Sequence, residues 1–168
     1  FSMDGDVADV RALAALAQQG EAALILDEAH AVGAVGPEGR GVAASLGVTP
    51  DLLIGTLGKA FGCHGAFVAG HSQAVDWLWN RARSLVFSTG MPPMISGAAS
   101  RALAIIRGVE GEGRRARLAA NAARLGSGIG VVAHSHIVPW LIGDDSVAVA
   151  TSEQLLLQGL FAQAIRPP

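Results

Sequence analysis

Residues 22–41 read AALILDEAHAVGAVGPEGRG: an unbroken apolar run, an acidic pair, a histidine, and then glycines at 33, 36, 39 and 41. The run 22–26 is too short for a helix of its own and is followed by polar and glycine residues, which fits a central parallel strand buried on both faces. Asp27 then falls at that strand's carboxyl end. In open α/β sheets this is the edge at which ligands sit.

The letters Asp27-Glu28-Ala29-His30 also spell the box with which a nucleoside-triphosphate motor holds magnesium and a water. A motor of the DEAH type needs a phosphate-cradling Gly-x-x-x-x-Gly-Lys-Ser/Thr loop ahead of that box, so that backbone N–H groups wrap the phosphates. The only Gly-Lys pair is Gly58-Lys59; it follows the box, is succeeded by Ala60, and has Leu53 where the first glycine belongs. The motor reading fails each requirement.

Outward from this stretch the pattern is α/β. Residues 6–19 carry apolar side chains at helical spacing, with Asp6 or Asp9 as N-cap and Gly20 as C-terminal stop. A short helical turn is expected at 42–46, strands at 51–56 and 65–69, a helix at 72–83 with Val75, Leu78, Trp79 and Ala82 on one face, and a short strand at 85–88. Two Ala- and Leu-rich helices, 92–107 and 113–125, are separated by a glycine break at 108–113. Beyond the glycines at 126, 128 and 130 the pattern turns to strands at 137–142 and 161–165 around a helix at 146–160. This predicts two domains, 1–125 and 126–168.

The chain has 168 residues, 51% of them hydrophobic, with 12 Lys and Arg against 14 Asp and Glu and no basic stripe, which speaks against a nucleic-acid partner. Every apolar run is broken well before the ~18 residues a membrane span requires. A single cysteine, Cys63, excludes an intrachain disulfide and suits a reducing compartment, so a cytoplasmic protein is expected. The abrupt start at Phe1 and the stop on Pro167-Pro168 read as a piece of a longer polypeptide.

Three side chains converge on one chemistry. Lys59 lies in a glycine-bounded connection between two strands, where burial would lower its pKa and fit it for a Schiff base. Asp27 could hold the ring nitrogen of a pyridoxal cofactor protonated, and His30 could stack on or hydrogen-bond that ring. Each residue alone is ordinary as a cap, a loop histidine or a solvated lysine; together, in two glycine-rich loops at strand ends, they suggest a site. Glu28 and Ala29 read as spacing. Cys63 reads as packing, His64 as a loop residue, Trp77, Trp79 and Trp140 as packing residues, and Arg81 and Arg83 as surface or subunit-contact residues. His134 and His136 lack a third ligand for zinc.

The segments FSMDGD (1–6), LDEAHAVGAVGPEGRG (26–41), GTLGKAFGCHGAFVAG (55–70), RSLVFSTGMPP (83–93) and IRPP (165–168), in this order and spacing, resemble the α-oxoamine synthase family of fold-type-I pyridoxal-phosphate enzymes over essentially the whole chain. The resemblance implies a three-layer, aspartate aminotransferase-like α/β large domain, present in part, followed by the start of a smaller α/β C-terminal domain. It implies pyridoxal 5'-phosphate carried on Lys59 as a Schiff base, Asp27 on the pyridinium nitrogen, His30 and Ser2 at the ring's phenolic oxygen, Thr56 on the phosphate, and Thr89 on the phosphate of a neighbouring subunit in a homodimer. The reaction implied is a decarboxylating condensation of an amino acid with an acyl-CoA or acyl-ACP. FSMDGD, SHIVPWLIGDD (135–145) and AIRPP (164–168) most resemble the member that uses L-alanine and a pimeloyl thioester; members using glycine or serine share the central motifs. Family members are more than twice this length, with a glycine-rich loop and a ring-stacking histidine expected before Phe1 and a carboxylate-binding arginine after Pro168. By that expectation the isolated segment is inactive. The reading of another kind is a truncated, inactive partner subunit.

Overall fold

The computed structural model describes residues 1–166; Pro167 and Pro168, which end the IRPP motif, lie outside the described residues. Helix α1 (Val10–Gln19) starts where the Asp9 side chain accepts from Ala12 N at 3.0 Å, and closes with Gly20 N donating to Leu16 O at 2.9 Å. Strand β1 (Ile25–Asp27) pairs parallel with β2 (Leu52–Thr56), with Asp27 opposite Ile54. Strand β3 (Ala66–Gly70) returns antiparallel on β2, with Ala66 opposite Thr56. The carboxyl ends of β1 and β2 and the amino end of β3 therefore share one edge of a three-stranded sheet ordered β1-β2-β3.

Between β1 and β2 lie a single 3-10 turn (Pro37–Gly39) and helix α2 (Val42–Leu46). Val10 of α1, Leu26 of β1 and Ala43 of α2 form a small core, with Leu24, Leu46 and Val48 packed against it. Because side chains alternate along a strand, Leu26 is buried there while Ile25 stays 55% exposed. The expectation of a strand buried on both faces is thus corrected: of the three residues of β1 only Leu26 is buried.

Helices α3 (Ser72–Arg81), α4 (Arg83–Val86), α5 (Pro93–Arg107) and α6 (Val109–Ile129) follow. The expected strand at 85–88 is not formed: Val86 N donates to Ala82 O at 2.9 Å and Phe87 N to Arg83 O at 3.1 Å, a helical pattern. Short apolar runs do not distinguish the two states by periodicity. The expected break at 108–113 shrinks to Gly108, since α6 begins at Val109 with Glu110 and Glu112 in its first turn, where the helix dipole favours them. Gly111 permits this tight turn, as a Cβ there would lie 2.2 Å from Ile106 O. Arg115 Nη1 donates to that same carbonyl at 2.8 Å.

The chain divides into two compact units, Val7–Asn121 and a second made of Phe1–Asp6 with the chain from Ala122 onward. In the second unit buried Gly5, at φ 68°, approaches Ile137 so closely that a Cβ would sit 2.1 Å from its carbonyl oxygen. Helix α7 (Asp145–Leu157) is capped by Asp144, which accepts from Ser146 N at 2.9 Å and Val147 N at 3.0 Å. The expected strands at 137–142 and 161–165 are absent; among the described residues no strand lies beside them to complete a ladder of hydrogen bonds.

Candidate active site

Asp27 is the last residue of β1 and is exposed; its Oδ1 accepts from Ala29 N at 2.8 Å, a local turn that orients the carboxylate. The next residue extends the ladder, Glu28 N donating to Ile54 O at 2.8 Å. Alternation then sends the Glu28 side chain to the opposite side, where it is 5% exposed. Its two oxygens accept from Val42 N at 2.6 Å and Ala43 N at 2.7 Å, the first two amides of α2. Glu28, whose place in the sequence reads as spacing, is instead the anchor between β1 and α2. One signal was legible: α2 begins after Gly41, which has no side chain to cap it, so its amides need an acceptor from elsewhere.

His30 sits half-buried in the turn that follows, where Ala31 N and Val32 N both donate to Glu28 O at 2.9 Å. The loop closes on itself through Gly33 N to Gly39 O at 2.7 Å and Gly41 N to Val35 O at 2.9 Å. Glu38 meets Arg107 Nε at 3.1 Å in an exposed ion pair, a contact of small energetic consequence.

Thr56 ends β2 on the same edge as Asp27. Its Oγ1 donates to Gly65 O at 3.1 Å and accepts from Gly58 N at 3.1 Å, clasping the loop that carries Lys59. The loop is tight: Leu57 N donates to Gly65 O at 2.8 Å, Cys63 N to Leu57 O at 2.8 Å, and Gly62 N to Lys59 O at 2.9 Å. Lys59 itself is exposed, so the burial expected to tune it is not supplied by the described residues. At Gly65, φ 110°, a Cβ would lie 2.5 Å from Met91 Cε. This brings the segment carrying exposed Thr89 against the base of the loop.

Asp27, His30, Thr56 and Lys59 thus gather at one edge of the sheet, with Thr89 on an adjoining segment. Ser2 lies in the other unit, exposed in a turn in which Gly5 N donates to Phe1 O at 3.2 Å. Cys63 is half-buried with Sγ 3.3 Å from Phe61 O, and His64 is exposed. Trp77 and Trp79 are each 64% exposed and Trp140 53%, which corrects their reading as packing residues: the described residues put no layer over them. His136 is half-buried with Nδ1 lacking a partner, and burial lowers its pKa. Among the described residues no group of three or more His, Cys, Asp or Glu is placed to hold a metal ion, and no helix is long and apolar enough to cross a membrane.

The family description "Aminotransferase class I and II" matches residues 1–168. The chain belongs to this family. An 8-amino-7-oxononanoate synthase of Burkholderia thailandensis is 44% identical to it, over 100% of this chain and 45% of the relative. This aminotransferase-family chain therefore spans about 45% of the length of the curated relatives it matches. Its fold is that of the corresponding segment of a Sphingomonas wittichii serine palmitoyltransferase, with TM-score 0.91 and 30% identity over 100% of this chain and 44% of that one. The 8-amino-7-oxononanoate synthase of Francisella tularensis superimposes with TM-score 0.82 at 26% identity over 100% of this chain and 52% of that one. A structure described as SPT with its PLP internal aldimine reaches TM-score 0.92 at 29% identity, over 100% of this chain and 44% of that one.

Proposed function

We propose that this chain is the lysine-bearing part of a pyridoxal-phosphate-dependent acyltransferase that condenses L-alanine with pimeloyl-CoA or pimeloyl-ACP, releases carbon dioxide, and yields 8-amino-7-oxononanoate for biotin synthesis. The observation that carries this reading is the placement of Asp27, Thr56 and the Lys59 loop on one sheet edge, in a chain 44% identical to a relative of that name. The residues fit the cofactor's chemistry: an exposed carboxylate at a strand end, a hydroxyl at the next strand end, and an exposed primary amine in a rigid loop.

Pyridoxal 5'-phosphate, when bound, supplies an electron sink for the carbon that loses its proton. Lys59 would hold the cofactor through Nζ and, once released from it, would take up and return the substrate's α-proton. The Asp27 carboxylate would keep the proton on the ring nitrogen. His30 and Ser2 would orient the ring at its phenolic oxygen. Thr56 would turn its hydroxyl from Gly65 O to the phosphate, and Thr89 would serve the phosphate of a second subunit in a homodimer. Residues 1–125 would belong to the cofactor-binding large domain and 126–168 to the start of the small one, in a cytoplasmic protein.

A second reading has its own support: the likeness to serine palmitoyltransferases, up to TM-score 0.92, keeps open another α-oxoamine synthase such as serine palmitoyltransferase, 5-aminolevulinate synthase or 2-amino-3-ketobutyrate CoA ligase. The test uses the full-length protein. A pyridoxal absorbance band that Lys59→Ala abolishes, with alanine-dependent thiol release from a pimeloyl thioester, supports the first reading. Turnover only with serine or glycine moves the function to the second, and a protein that takes up no pyridoxal phosphate overturns both.

A further inference from the structure

The 28–41 loop and the Lys59 loop meet at one point. A Cβ built on Gly33 would lie 2.6 Å from the Cβ of Ala60 and 3.8 Å from Cε2 of Phe61, the two residues that follow Lys59. It would also lie 3.3 Å from Cδ1 of Ile106, a buried residue of α5. Gly33 is in turn backed by Gly39: a Cβ on Gly39 would sit 3.0 Å from the Gly33 Cα and 2.7 Å from Ile106 Cγ2. Two glycines are therefore stacked, without room for a methyl group, between the Lys59 loop and α5. Both need the left-handed region, at φ 88° and 70°.

We propose that Gly33 is the stop against which the Lys59 loop seats, so that the 28–41 loop sets the position of Lys59 through Ala60. The inference rests on the reading of Lys59 as the cofactor-bearing lysine. Gly33 is a positioning residue, acting through Ala60 on the lysine beside it. The Lys59 loop transmits the contact because it is closed by its own backbone bonds, from Leu57 N to Gly65 O, Cys63 N to Leu57 O and Gly62 N to Lys59 O, and so moves as a body. Carbon atoms rest ~3.5–4.0 Å apart, so a methyl group on Gly33 would displace Ala60, and Lys59 with it, by about 1 Å. A misplacement of that size costs on the order of 10²-fold in rate.

The test uses full-length holoprotein carrying Gly33→Ala, Ala60→Val, Ala60→Gly, and Gly33→Ala with Ala60→Gly. Four quantities are read: kcat and KM, the pH midpoint of the cofactor absorbance band, the fraction of Lys59 found linked to cofactor after borohydride reduction and peptide mapping, and thermal unfolding of the cofactor-free protein. Gly33→Ala is expected to lower kcat on the order of 10²-fold, to shift the band's midpoint and to lower the linked fraction. Adding Ala60→Gly restores part of the loss by removing the opposing methyl group. Ala60→Val presses on the same contact while Gly33 keeps its backbone, so it reproduces the shift even if Gly33→Ala does not fold. Wild-type band position and kcat in Ala60→Val, or a double variant no better than Gly33→Ala, overturns the inference alone. A wild-type protein with neither band nor Lys59 adduct overturns the cofactor reading and this inference with it.

Discussion

Glu28→Ala removes the one buried charged side chain among the described residues, together with both acceptors of the α2 amides. Hydrogen bonds to a charged group contribute ~1.5–3 kcal/mol each, and a buried donor left without a partner costs ~1–3 kcal/mol. These are two descriptions of the same loss and do not add. Ala43 N is buried with its bond at 2.7 Å and is charged in full; Val42 N is partly buried and recovers part of its loss to water. The expected cost is about 3–4 kcal/mol, a large share of the ~5–15 kcal/mol that holds a domain folded. Glu28→Gln keeps the shape but offers one acceptor and turns an NH2 toward a donor, so it should lose about half as much. Urea unfolding of the cofactor-free, full-length protein measures both. A Glu28→Ala protein within about 0.5 kcal/mol of wild type, the range of ordinary surface substitutions, would refute the anchoring role. Gly41→Ala provides an independent check from the other side: a Cβ there would lie 1.8 Å from Glu28 Oε2, on a backbone at φ 94°.

Thr56→Val keeps the volume of the side chain and deletes both arms of the clasp, so the Lys59 loop should open locally; amide exchange at Gly58 accelerated relative to that at Leu53 is the expected result, and unchanged exchange would count against the clasp. For His136, burial lowers the folded-state pKa below its ordinary value, so the unfolded state binds more protons between the two values. Its contribution is whole above the unfolded pKa of about 6.5 and is lost as pH falls toward the folded value. Thermal melts should therefore drop more steeply below that pH in wild type than in His136→Gln, and parallel curves would refute it.

The placement of the candidate residues was legible where its signals are local. Asp27 at the end of an apolar run and Lys59 among glycines depend on neighbours in sequence, and parallel pairing of β1 with β2 carries both to the same edge. The helix stop at Gly20 was readable for the same reason, while the choice of Asp9 over Asp6 as N-cap fell to the structure. The fate of 85–88 was not, since a run of that length suits a strand or a helical turn and the choice falls to whatever packs beside it. Exposure of Trp77 and Trp79 was equally hidden, because side-chain type reports a preference for burial and not the presence of a covering layer.

By itself the sequence determined the α/β character of the chain, its first three strands and the polar residues that follow them, for these follow from periodicity and turn chemistry within a few residues. Only the tertiary structure decided that Glu28 turns inward to hold α2 and that Gly33 touches Ala60. Both contacts join residues separated by more than a helical turn or a hairpin, so no local pattern encodes them. They exist because strand alternation points Glu28 away from Asp27, and because two glycines leave space for a second loop to approach.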